Sequence, residues 1–109
     1  MTHNAAFWIT AEAKTTFTVK TGMVLYEHRV EALNIEGIDN VWIQDEDEGI
    51  TTLYVKIKNH LDPAGILASC LLAVFGTGKW IVGGNDQTLL EEVRICAKDL
   101  DDEHSVLIV

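Results

Sequence analysis

The chain has 109 residues, of which 48% are hydrophobic and one is proline, so the composition predicts one globular domain and excludes a disordered tail. Eight basic against seventeen acidic residues give a formal charge of −9 at pH 7. This balance argues against nucleic-acid binding, in which Lys and Arg neutralise phosphates, and favours a basic protein partner. No apolar run reaches the roughly 20 residues that a membrane-spanning helix needs, so no membrane association is expected.

Two strands are predicted at the start of the chain. The segment Ala5–Thr10 is apolar enough for a strand, and Lys14–Lys20 alternates between apolar residues and threonine or lysine, which is the pattern of a half-buried strand. The first four residues contain no basic region followed by a long apolar run. We therefore expect no signal peptide and a cytoplasmic location.

The next segment, Met23–Ile35, has two interpretations. As a helix it places four apolar residues on one face and ends at Gly37; these residues are Met23, Tyr26, Val30 and Leu33. As a strand it alternates as well, with Thr21-Gly22 as a tight hairpin turn before it. The helix is the favoured interpretation.

A hairpin is predicted from Asn40–Gln44 and Ile50–Lys58, which flank a polar connection ending in Gly49. The connection carries four consecutive carboxylates, which are Asp45, Glu46, Asp47 and Glu48. They lack the regular Asp-x-Asp-x-Asp-Gly framework of a calcium loop. A solvated turn is the simplest interpretation, and contact with a basic partner is the functional hypothesis for these four residues.

The central helix is predicted over Pro63–Phe75, with Asp62 as N-cap, Pro63 in the first turn and Gly76 as the stop. One half of its surface is large and apolar. The other half is uncharged and mostly small, and consists of Ala64, Gly65, Ala68, Ser69, Leu72 and Ala73. Such a surface predicts close cover by another element or another subunit, and a homodimer is the resulting expectation.

The last third of the chain predicts a strand, a helix and a strand. Lys79–Val82 is a short strand between glycines, and a second helix begins with the capping box Thr88 to Glu91, with Asn85 or Asp86 as alternative capping residues. The apolar stripe of this helix consists of Leu89, Val93, Cys96 and Leu100. The final segment, His104–Val109, has four consecutive apolar residues, which predicts a strand buried inside the sheet.

Together these elements predict an α+β fold with an antiparallel or mixed sheet and two or three helices mainly on one face. The order from Lys14 to Val82 matches a ferredoxin-like split βαβ arrangement, to which the last helix and strand add an extension. If Met23–Ile35 is a strand, the alternative is a β-meander followed by two helices.

No motif predicts a catalytic, cofactor-binding or metal-binding residue. Gly76-Thr77-Gly78-Lys79 follows a helix and lacks the spacing of a phosphate loop, and the four histidines have no metal-ligand spacing. Cys70 and Cys96 fall on apolar helix faces and are predicted to be free core thiols. Ser69, Cys70 and Ser105 are the available nucleophiles, and all three are predicted to be buried.

The aromatic residues suggest a second kind of site. Trp42, Tyr54 and Trp80 lie on predicted strands and are candidates to wall a pocket between the sheet and the central helix. The leading functional hypothesis is a non-enzymatic interaction module of the inhibitor, immunity or adaptor type that binds a basic partner. The alternatives are a small-molecule-binding domain that uses this aromatic pocket and an enzyme whose site is assembled from dispersed residues.

Overall fold

The computed structural model describes residues 3–109 and contains a six-stranded mixed sheet with three helices, which confirms the predicted α+β class. Met1 and Thr2, which belong to the segment inspected for a signal peptide, lie outside the described residues. The elements in chain order are β1 (His3–Ala13), β2 (Thr16–Thr21), α1 (Glu27–Glu31), β3 (Ile38–Asp47), β4 (Ile50–Ile57), α2 (Pro63–Phe75), β5 (Gly78–Gly84), α3 (Gln87–Leu100) and β6 (Ser105–Ile108).

The strand order is β3-β4-β2-β1-β5-β6. The first four strands in this order are antiparallel neighbours, whereas β5 is parallel to β1 and β6 is parallel to β5. The predicted split βαβ unit is present, since β2 and β3 flank β4. The ferredoxin-like order is interrupted, however, because β1 lies between β2 and β5. The turn at Lys14–Thr15 joins β1 to β2 as a hairpin and so places β1 beside β2.

The sheet has two unlike faces. One, here called the core face, carries buried alternate residues that form a single cluster with Val30 of α1, Leu71 of α2 and Val93 of α3. Phe7 of this face stacks on Phe75 at 4.4 Å between ring centroids. The other, here called the open face, has no helix packed on it within residues 3–109. Its side chains include Ala6, Trp8, Thr18, Lys20, Trp42, Tyr54, Ile81 and Leu107.

Helix α2 forms as predicted. The Gly65 N–H donates to the Asp62 carboxylate at 3.2 Å, Pro63 occupies the first turn, and Gly76 adopts φ 78° after the last turn. Helix α3 packs along it. Ala64 and Ala68, on the small-residue half of α2, are buried within the same chain. Helix α3 therefore covers much of the small-residue half of α2, for which the sequence identified no packing partner.

The helix predicted over Met23–Ile35 forms only at Glu27–Glu31. The Thr21 hydroxyl accepts a hydrogen bond from the Met23 N–H at 3.2 Å, which holds the start of the segment in a turn. Tyr26 precedes the short helix and provides no side-chain cap. The favoured interpretation was therefore right about the type of element and wrong about its length.

Two predictions for the last third need correction. Helix α3 begins at Gln87 because the Asp86 carboxylate accepts from the Leu89 N–H at 3.1 Å, so Asp86 is the cap in place of Thr88. In the described part of the chain the final strand pairs with β5 alone, so it lies at the sheet edge, not inside the sheet. Leu107 is 60% exposed, since the open face leaves one side of β6 uncovered.

Candidate functional site

The acidic segment belongs to the β3–β4 hairpin rather than to a long connection. The strands continue to Asp47 and from Ile50, so the turn consists of Glu48 and Gly49 alone. Both have positive φ, at 50° and 81°, as a two-residue hairpin turn of type I′ requires. Three of the four predicted carboxylates are therefore held on a strand, and all four are exposed.

A β-bulge decides which way these carboxylates face. Ile43 pairs with Leu53, but the next partners are Asp45 and Thr52, so Gln44 is the extra residue of the bulged strand. An extra residue shifts the alternation of side chains by one position. Asp45 therefore lies on the open face, and Asp47 follows it there opposite Ile50, whereas Glu46 turns to the other side.

The same face carries two aromatic rings next to Asp45. Trp42 of β3 pairs directly with Tyr54 of β4, and their rings stack with centroids 4.1 Å apart and planes 24° apart. Both side chains are partly exposed. Asp45 is the next residue of β3 on this face, and its partner Thr52 is two residues from Tyr54 along β4, which is about 7 Å at about 3.3 Å per residue. We call Trp42, Tyr54, Asp45 and Asp47 the hairpin site.

The charge of the hairpin site is not neutralised within the described residues. Between residues 3 and 109 the ion pairs are Lys56 with Asp39, at 3.8 Å, and Arg94 with Glu91. No Lys or Arg side chain in that range lies within 4 Å of Asp45 or Asp47. The site therefore combines an aromatic surface with two carboxylates that form no ion pair within residues 3–109, which is the chemistry that receives a Lys or Arg side chain.

The third predicted pocket residue lies elsewhere. Trp80 is on the core face and only 1% exposed, with its ring edge-on to Phe7 and His104. Its indole N–H donates to the Gly76 carbonyl at 3.1 Å. The structure thus brings Trp42 and Tyr54 together but places Trp80 on the other face of the sheet, with β2 and β1 between β4 and the strand β5 that carries it. Ligand contact by the exposed pair remains a prediction, whereas Trp80 is a core residue.

The outer edge of β3 adds backbone groups to the site. Within residues 3–109, β4 is the one strand that pairs with β3. The Lys58 N–H donates to the Gly37 carbonyl, so the backbone groups of Lys58 point to the β3 side of β4. Because these directions alternate along a strand, the backbone groups of Tyr54, four residues earlier, point toward β3 as well. Trp42 therefore uses its own N–H and C=O in the pair with Tyr54, and Val41 and Ile43 direct theirs outward. Among the described residues, no hydrogen bond from outside the sheet ladder reaches these outward groups.

A larger cleft lies on the core side, between α1 and the end of α2. It measures about 590 Å³ and is mainly apolar, with Arg29 as its one charged lining residue. Its lining includes the four residues of the predicted amphipathic face, Met23, Tyr26, Val30 and Leu33, together with Val74 and Phe75. The short α1 therefore leaves these side chains around a cleft instead of packing them on one continuous helix.

The groove between α2 and α3 brings Cys96 close to acidic residues. Partial burial and the nearby Asp62 and Asp99 raise the pKa of Cys96, and burial raises the pKa of Cys70 to about 12. Both cysteines are free, as predicted, and stay protonated thiols at neutral pH. Of the other candidate nucleophiles, Ser69 is half-buried and Ser105 is exposed, so the prediction that both are buried was wrong.

Residues 3–109 contain no group of three or more His, Cys, Asp or Glu side chains that could hold a metal ion. The principal clefts in that range are not lined by His28 or His60, and His104 is buried beside Trp80. The dispersed-site enzyme therefore stays a hypothesis.

Comparison with known proteins found no matching family model, no matching curated protein and no matching solved structure. None of the helices in the described part of the chain combines the length and the apolar character needed to cross a membrane. The functional argument consequently depends on the geometry of the chain itself.

Proposed function

We propose that this protein is a non-enzymatic interaction module that binds a basic protein partner through the hairpin site. The observation that carries the proposal is the bulge at Gln44, which places Asp45 and Asp47 on the same uncovered face as the stacked Trp42 and Tyr54. Cation–π contact and a charge-assisted hydrogen bond reinforce one another when a single Lys or Arg side chain makes both. The overall charge of −9 steers such a partner toward the protein.

Affinity capture from a lysate of the source organism tests the proposal. The wild-type protein should retain a basic protein whose binding weakens as salt increases, because exposed charges are screened. The variant Asp45→Asn/Asp47→Asn should lose that protein. The control Asp99→Asn/Asp102→Asn makes the same change in net charge on exposed residues at the end of α3 and should keep it. Equal retention by both variants, or no salt-sensitive partner at all, would contradict the proposal.

The cleft beside α1 supports a second candidate, a small-molecule-binding domain. Its volume of about 590 Å³ lies within the ~300–1,000 Å³ typical of ligand sites, and Arg29 would favour an anionic group on an otherwise apolar ligand. Thermal-shift screening with apolar carboxylates would test it. A stabilising ligand should lose its effect in Arg29→Gln, and a flat response across the series would count against this function.

We also propose self-association, but through a surface other than the half of α2 that the sequence suggested. The apolar end of the open face holds Trp8, Ile81 and Leu107 on adjacent strands, each about half exposed or more. This patch is a better candidate for a dimer surface than α2, which α3 already covers in part. Sedimentation should show a dimer at micromolar concentration and a monomer for Ile81→Lys/Leu107→Lys. A monomeric wild type would refute the proposal.

A further inference from the structure

The outer edge of β3 defines how a basic partner can reach the hairpin site. Trp42 stands on this edge strand and stacks on Tyr54 of the neighbouring strand. Because cross-strand side chains stand side by side, the ring face that Trp42 turns away from Tyr54 looks beyond the edge of the sheet. A side chain that continued the stack would have to come from a strand added next to β3.

The backbone of β3 offers hydrogen-bonding groups for such an addition, which would enter beside α1, since Glu31 and Glu27 line clefts together with Val41 and Ile43. Val41 and Ile43 direct unpaired N–H and C=O groups outward, on either side of Trp42. In an antiparallel addition these two residues would form the hydrogen bonds. The residue opposite Trp42 would then belong to a non-hydrogen-bonded pair, in which Cα atoms approach to about 4.5 Å and side chains come closest.

The negative charge along β3 determines which kind of strand can be added beside it. The exposed carboxylates along β3 are Asp45, Glu46 and Asp47, together with Asp39, which is paired with Lys56. A second copy of this chain paired edge to edge would bring these like charges together, and charged edge residues are a common protection against such pairing. A strand with basic residues meets opposite charge on the same edge. The occupant is therefore a basic segment of another protein and not a second copy.

We propose that the partner adds an extended, arginine-bearing segment as an antiparallel strand along β3, with one arginine stacked on Trp42 and paired with Asp45. Arginine fits this position better than lysine, because its planar guanidinium stacks on an aromatic face and donates in parallel to a carboxylate. This inference rests on the proposed function and specifies its binding mode.

The probe is a capped nine-residue peptide of alternating Thr and Arg, titrated by calorimetry at low salt. If its arginines lie opposite Trp42, its threonine N–H groups point at β3 and its arginine N–H groups point to solvent. N-methylation of the threonines should weaken binding by at least about tenfold, as expected for the loss of two or more hydrogen bonds. N-methylation of the arginines should leave binding within about threefold, which is under 0.7 kcal/mol.

Side-chain controls complete the test. The matched lysine peptide should bind more weakly than the arginine peptide. Trp42→Leu should weaken binding, whereas Trp8→Leu, which removes an exposed tryptophan from the distant end of the open face, should not. Thermal unfolding of both variants checks that they are folded.

The outcomes separate this inference from the proposed function. Equal affinity of the two N-methylated peptides would overturn strand addition, and sensitivity to Asp45→Asn/Asp47→Asn would then leave the proposed function intact. No binding of the unmodified peptide, while the lysate partner is still captured by the wild type, would also overturn strand addition alone. Failure of both the peptide and the capture experiment would overturn both.

Discussion

At the scale of single residues, two adjacent glycines at the end of β5 have different structural roles. A Cβ on Gly83 would come within 2.3 Å of the Trp8 ring, so the absence of a side chain lets that ring lie on the strand. A Cβ on Gly84 would come within 2.4 Å of the backbone oxygen of Ile9. The first neighbour is an exposed side chain that can turn away, whereas the second is backbone inside the sheet.

We therefore expect Gly84→Ala to destabilise the protein much more than Gly83→Ala. Overpacking costs about 1–3 kcal/mol, and Gly84→Ala should be at or above the upper end because strand backbone must move. Gly83→Ala should cost about 1 kcal/mol or less while shifting Trp8 fluorescence. Urea unfolding of both variants measures the difference. Equal losses of unfolding free energy would show that the backbone at Gly84 adjusts freely.

The second feature at this scale is the buried imidazole of His104. It is 2% exposed, and its Nδ1 accepts from the Gly78 N–H at 3.4 Å, so the neutral ring carries its proton on Nε2. That Nε2 has no hydrogen-bond partner among the described residues. Burial lowers the pKa of His104 and nearby Lys98 adds to the effect, while Asp101 opposes it. The fold thus holds the neutral form.

The stability of the folded protein should therefore decrease as the pH falls. The unfolded chain protonates His104 near its ordinary pKa of 6.5, whereas the folded chain does so only at lower pH. The stabilising contribution is complete above pH 6.5 and is lost as pH falls from there toward the lowered pKa. The urea midpoint should be lower at pH 5.5 than at pH 7.5, and His104→Phe should reduce this difference.

His60→Gln serves as the control for that experiment, since His60 is exposed. It should retain the pH dependence of the wild type. If His104→Phe and the wild type lose the same stability on acidification, the burial of a neutral His104 is not the cause.

At the scale of elements, the sequence predicted the features that depend on neighbouring residues and missed the one that depends on pairing between strands. Helix α2 carries its own cap, first-turn proline and terminal glycine, so its bounds follow from sequence alone. The hairpin β3–β4 follows from alternation and the glycine at its turn. The bulge at Gln44 could not be predicted, because it depends on pairing with β4, and it alone decides which carboxylates join the aromatic pair.

The start of α3 gives a test at this scale. Both Asp86 and Thr88 are good N-cap residues, and the structure selects Asp86. Asp86→Ala should cost about 1 kcal/mol of unfolding free energy, and Thr88→Ala, on an exposed position inside the first turn, well under that. Thermal or urea unfolding compares the two. A larger loss for Thr88→Ala would mean that the capping box predicted from sequence is correct.

At the scale of the whole molecule, the sequence predicted the fold class and helices mainly on one face, but not which side chains of the sheet are left uncovered. Alternation identified half-buried strands, yet the side on which helices accumulate depends on how α2 and α3 cross the sheet. With all three helices on one side, Trp42 and Tyr54 are left accessible and Trp80 is enclosed. The predicted aromatic pocket was divided between the two faces for this reason.

Acidic and apolar residues occupy opposite ends of the open face. Its β3 end carries the acidic residues of the hairpin site, and its other end is apolar around Trp8, Ile81 and Leu107. A second acidic group lies outside this face, at the end of α3, and includes Asp99, Asp102 and Glu103. Charge alone would attract a basic partner to either group, whereas the aromatic pair is present at the hairpin site only.

Chemical-shift mapping with the alternating Thr-Arg peptide distinguishes these two acidic regions most directly. The account predicts that the Trp42 indole N–H and the backbone amides of β3 shift on titration, while the Trp80 indole and the amides around Asp99 to Glu103 remain unchanged. Perturbations centred on the end of α3, or spread evenly over both acidic regions, would contradict the assignment of the hairpin site as the binding surface.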